Sequence, residues 1–161
     1  ALRALATDYE AVGTNLSKAQ QTQASSPTES MGAYLRALGL DKSIGGGVHS
    51  AFIRIKLGQV APGAAASFMA QKRYEAAKKA ADAAVNYGAG GDPTVRRVLG
   101  ALERQAAAMY QTASKTIKND PEGAKKLLRR IIKMVPADSP TYASAYKLLN
   151  SRKNTPRDED E

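Results

Sequence analysis

The sequence predicts an all-α protein, and three observations carry that reading. The hydrophobic fraction is 43% but leans on Ala, while aromatic residues are only 6%. Ala loses no side-chain entropy in a helix and covers little sheet surface. Ser26-Pro27, Asp92-Pro93, Asp120-Pro121 and Ser139-Pro140 each place a capping residue directly before a proline. The cap oxygen accepts an orphan N–H of the first turn, and proline at the next position lacks an N–H and already has a helical φ. Between these starts, apolar residues recur every three or four positions, the period of one helix face.

Each segment follows from those signals. Leu2, Leu5, Tyr9, Val12, Leu16 and Ala19 form a first stripe. The polar linker 24–30 follows, with Ser26 and Glu29 in a capping-box pattern. Met31, Tyr34, Leu35 and Leu38 form the second stripe, so residues 1–42 read as an N-terminal helical hairpin. Gly45, Gly46 and Gly47 open a Gly-rich connector, taken as 43–61. Residues 53–57 alternate like a strand, but a lone strand has no partner here, so this stretch is assigned to helix. Ala61-Pro62-Gly63 reads as a turn or a weak helix start. Val95, Val98, Leu99, Leu102, Ala106, Met109, Tyr110, Ala113 and Ile117 make one long helix face. Ala124, Leu127, Leu128, Ile131 and Val135 make another, stopped by Pro136. Tyr142, Ala145, Tyr146 and Leu149 make the last, a capping helix, and a polar tail occupies 152–161. The stripe positions of Tyr110, Tyr142 and Tyr146 assign these rings to the core.

The spacing in two places resembles the tetratricopeptide repeat, a helix–turn–helix unit of about 34 residues. In the first, Ala65 and Phe68 match the small and aromatic positions of the first helix, and Tyr74, Ala77, Ala81 and Ala84 match the second. In the other, Ala124, Leu128, Ile131 and Pro136 fall at the second-helix positions, with Ile131 where the family has a small residue. The first-helix Trp and Leu-Gly are absent, the 86–93 link is long, and the helix from Pro93 to Lys118 exceeds the family length. The resemblance covers about 62–150 and implies antiparallel helix pairs that bind peptide segments in a groove. Some members clamp a terminal carboxylate with Lys and Asn. The corresponding positions are Pro62, Ala66, Met109 and Ala113, so that clamp is not expected.

Charge narrows the partner class. The net charge is +9, which favours an acidic protein, a nucleic acid or anionic lipid. Lys125, Lys126, Arg129, Arg130 and Lys133 lie opposite the apolar face of the 121–135 helix, and Arg96, Arg97, Arg104, Lys115 and Lys118 precede it. This basic set is the candidate partner surface. A membrane-surface role is disfavoured because the apolar face of 121–135 carries no Trp or Phe. A packed helix with a solvated basic side explains more, since Pro136 and another capped helix follow at once. Phosphate binding needs little more than a basic patch, but Tyr and Phe are not interleaved with it as stacking platforms.

Catalytic patterns are missing. With no Cys, thiol catalysis, disulfides and thiolate metal sites are excluded. The single His49 stands in a Gly-rich turn, and residues 45–50 lack the Lys and spacing of a phosphate loop. No cofactor is expected. The chain starts at Ala1 rather than Met and is read as a piece of a larger protein, bacterial by its Ala-rich, Cys-free style. The expectation is therefore a non-enzymatic scaffold or adaptor binding a peptide or protein, acidic by charge. Sequence-independent nucleic-acid binding is second, and self-association through 1–42 is left open.

Overall fold

A computed structural model describes residues 2–44 and 46–151, with side chains from residue 6 onward. The side chains of Leu2 and Leu5 lie outside those described, as do Gly45 and the tail 152–161. Among the described residues the chain forms seven α-helices and no strand: α1 (Leu2–Thr22), α2 (Pro27–Ser43), α3 (Ser50–Ala70), α4 (Tyr74–Ala84), α5 (Pro93–Thr116), α6 (Pro121–Met134) and α7 (Pro140–Ser151). The fold is all-α. It divides into two compact units, Ala1–Val98 and Leu99–Glu161, with the boundary inside α5.

Four helices start on the predicted prolines, and three use the predicted caps. The Asp92 carboxylate accepts from the Thr94 N–H at 2.6 Å, and Asp120 accepts from the Gly123 N–H at 2.9 Å. Ser139 Oγ accepts from the N–H groups of Thr141 and Tyr142. Ser26 is the exception and makes no side-chain cap. Its expected partner Glu29 instead pairs with Lys18 at 2.8 Å across the α1–α2 hairpin. The buried Ser30 hydroxyl donates to the Ala19 carbonyl at 2.7 Å and closes that hairpin from inside.

In the first unit, α1 packs on α2, α2 on α3, and α3 on α4 and on the wide turn Val85–Ala89 that follows it. The short links make neighbours antiparallel. Two expectations are corrected here. Residues 43–61 are not a connector throughout, because α3 begins at Ser50, and Pro62 lies inside α3 rather than at a turn or start. A mid-helix proline costs about 3 kcal/mol. It is tolerated because Ile53, Leu57, Val60, Ala61, Ala64 and Ala65 are buried on both sides of it.

Small residues set the spacing of the α3–α4 pair. Ala64 and Ala65 of α3 and Ala77, Ala80, Ala81 and Ala84 of α4 are fully buried. Its three-residue turn closes with Lys72 at φ +57°, where the Arg73 N–H reaches the Phe68 carbonyl and the Lys72 N–H the Met69 carbonyl. This pair of bonds is the Schellman arrangement, usually built on glycine. The Arg73 guanidinium covers the Phe68 ring, 4.7 Å from its centroid, at the position where an apolar contact normally seals the motif.

In the second unit, α6 packs on α7. Leu102, Ala106, Met109 and Ala113 are buried along α5 and Ile117 just after it, as are Ala124, Leu128, Ile131 and Met134 on α6 and Ala145 on α7. The Glu103 carboxylate accepts from the hydroxyls of Ser139 and Thr141, so α5 holds the start of α7. Tyr146 is corrected: its ring is 54% exposed and stacks on Tyr142 at 6.1 Å instead of entering the core.

The buried and exposed sides of α6 differ by one residue in the sequence. Leu128→Ala is expected to destabilise the protein by about 2–5 kcal/mol, and Arg129→Ala to stay within about 0.5 kcal/mol. Urea unfolding of the two variants checks this. Equal stabilities would contradict the buried position of Leu128.

Candidate interaction surfaces

The predicted basic residues fall in both units. Arg96 and Arg97 are exposed in the first. Arg104, Lys115, Lys118, Lys126, Arg129, Arg130 and Lys133 are exposed in the second. Lys125 is half-buried and donates to Glu122 at 2.7 Å. That hydrogen bond, reinforced by the charges of Lys125, Arg129 and Lys126, holds the Glu122 carboxyl below its ordinary range. Glu122 thus takes up part of the basic charge of α6.

Two apolar surfaces in the first unit were not singled out by the sequence. One is a recess of about 200 Å³ lined by Thr28, Met31, Gly32 and Leu35 of α2, Phe68 of α3, and Ala76 and Lys79 of α4. Positions 28, 31, 32 and 35 are one helix face over two turns, so α2 supplies one wall and α4 the other. Leu35 belongs to the predicted apolar stripe but is 40% exposed. The stripe is too wide for one neighbour to cover: Tyr34 and Leu38 go into the core, and Leu35 is left at the recess edge. The other surface is at the start of α3 and in the turn just before it. Val48, Phe52 and Ile55, spaced by four and three, are 72%, 42% and 61% exposed. Lys56 Nζ stands 5.7 Å from the centroid of the Phe52 ring.

Two buried polar groups bear on the first unit. Asp41, near the C-terminal end of α2, accepts from the Ser50 hydroxyl at 2.7 Å and from the His49 N–H at 3.2 Å. Burial alone raises its pKa. The hydrogen bonds from Ser50 and His49 outweigh this and hold the carboxyl below its ordinary value. His49 makes no side-chain cap for α3, so the carboxylate from α2 does that work across the glycine loop. The Ser50 hydroxyl and the His49 N–H together tie the start of α3 to the end of α2 as a clasp. The Tyr34 hydroxyl is fully buried with no hydrogen-bond partner among the described residues, and burial pushes its pKa up.

Among the described residues no cluster of three or more His, Asp or Glu could hold a metal, and no helix is long and apolar enough to cross a membrane. Pro62, Met109 and Ala113 are buried and Ala66 is half-buried. Comparison with family models, curated proteins and solved structures returns no match for this chain.

The clasp gives a pH-dependent expectation. Asp41→Asn should cost about 1–3 kcal/mol near neutral pH, the cost of breaking a buried charge-assisted bond. The folded pKa lies below the ordinary 3.8, so the stabilisation is present above that value and is lost as pH falls through the folded pKa. The stability gap between wild type and variant should therefore close in acid. A gap that persists unchanged there would contradict the clasp.

Proposed function

We propose that this chain is a non-enzymatic interaction scaffold, a series of tetratricopeptide-like helix pairs that binds a peptide or protein partner. The recess between α2 and α4 carries this reading. It is a concave, almost wholly apolar surface built from two helices that pack on a third, with exposed Leu35 at its edge. Exposed apolar surface of that kind, rimmed by charge, is the usual mark of a docking site. The α3–α4 pair supports the repeat reading, since Ala65, Ala77, Ala81 and Ala84 are fully buried with the tight turn between them. In the other pair, Ala124, Leu128 and Ile131 are buried and Pro136 follows the helix. Phe68 and Tyr74, half-buried, flank the turn of the first pair.

A second reading has its own support. Lys126, Arg129, Arg130 and Lys133 are exposed together on α6, which suits sequence-independent binding of nucleic acid phosphates. The two readings separate by salt and by mutation. The test is a nuclease-treated pull-down at low and moderate salt with wild type and Leu35→Lys. A protein partner retained by wild type at both salts and lost by Leu35→Lys is the expected result. Recovery of nucleic acid alone, weakening roughly a thousandfold over a few-fold rise in salt and indifferent to Leu35, would overturn the scaffold reading in favour of the second.

A further inference from the structure

The recess has a charge as well as a shape. Lys79 is the single charged residue in its lining. Phe68, which also lines it, carries the Arg73 guanidinium on its ring. A guanidinium stacked on an aromatic face keeps its full charge and its outward donors. The carboxylates on the two wall helices are mostly engaged within the protein. Glu29 is paired with Lys18, Asp41 holds Ser50, and Asp82 is paired with Lys78 at 2.6 Å. Glu75, in the first turn of α4, is the remaining one. The lining itself thus holds one cation, Lys79, and no carboxylate; Glu75 stands one turn before Lys79 on α4 and no ion pair joins them among the described residues.

The dimensions fit a helix rather than an extended strand. The wall residues 28, 31, 32 and 35 run about 10 Å along α2 at a rise of 1.5 Å per residue, the length over which one face of a docked helix presents anchors a turn apart. The volume of about 200 Å³ leaves room for an apolar anchor. The walls are helices, and the recess offers no sheet edge to pair with an extended backbone.

Resting on the scaffold reading, we propose that the occupant is an acidic amphipathic helix of a partner protein, with bulky apolar anchors a turn apart seated over Met31, Leu35 and Phe68, and carboxylates flanking them that meet Lys79 and Arg73. The apolar anchors supply burial. The charges set orientation and discriminate against basic helices, since like charges across an interface oppose association.

The test uses the full chain and two synthetic helical peptides with identical Leu and Phe anchors one turn apart, one flanked by Glu and the other by Lys. Binding is measured by fluorescence anisotropy, and its location by NMR shifts of the Met31 methyl and the Phe68 ring. The Glu peptide should shift both groups and bind at least about tenfold tighter than the Lys peptide. Lys79→Glu, a substitution at an exposed position, should reverse the preference, with circular dichroism checking that the helices are retained. Equal binding of both peptides in the recess would overturn the acidic assignment while leaving the scaffold reading in place. Shifts confined to Phe52 and Ile55 on α3 would overturn the recess as the docking site. No binding of either peptide, with a lysate partner still retained by Leu35→Lys, would overturn both the recess and its proposed occupant.

Discussion

Everything in the first unit depends on how closely α3 can be approached. Three partners press on it: α2, α4 and the wide turn after α4. At Gly58 the backbone of that turn comes so near that an added Cβ would overlap the Tyr87 carbonyl oxygen. Toward α2, Gly63 faces the ring of Pro27, the residue that starts that helix. α3 and α4 pack together and each buries several alanines. A helix made of larger residues would hold its neighbours farther away. Close approach replaces large side chains as the source of cohesion, because many weak dispersion contacts along two helix backbones sum to a large term. The turn itself needs Gly88 at φ +90°, a conformation that costs a side-chain-bearing residue.

The same constraint makes the candidate site. Because α2 and α4 both lean on α3, their outer faces converge above Phe68 and leave the recess between them. Neither wall is a loop. Its shape is therefore set by packed helices, which suits a site that recognises a partner by pre-formed geometry rather than by folding around it. The Asp41 clasp and the Arg73–Phe68 stack act at the two ends of α3, one fixing its start to α2 and the other sealing its final turn. Both are polar devices placed where alanine packing ends.

The helices were legible because their punctuation is local. Pro27, Pro93, Pro121 and Pro140 announce starts by their own covalent geometry, and most of the α5 and α6 stripe residues are buried, with Leu99, Tyr110 and Leu127 half-buried at the edges. What was illegible depends on neighbours distant in the chain. Nothing in Pro62 itself says that apolar burial on both sides will outweigh its cost. Ser26 and Glu29 have the spacing of a capping box, yet Lys18 from the adjacent helix competes for the carboxylate and wins. Asp41 caps a helix that begins nine residues later, beyond any local pattern. The recess was hidden for a similar reason. Met31 and Leu35 read as one stripe with Tyr34 and Leu38, and only the placement of α4 decides which of them are left uncovered.

The most direct test of this account is the unfolding free energy of Gly58→Ala. Helix propensity alone favours the variant, since Ala is better than Gly inside a helix by about 1 kcal/mol. The close approach to the Tyr87 carbonyl predicts the opposite sign, a loss of about 1–3 kcal/mol as the turn is forced away. A destabilised variant with weakened α3 packing would support close approach as the constraint that organises the unit. A variant more stable than wild type would contradict it.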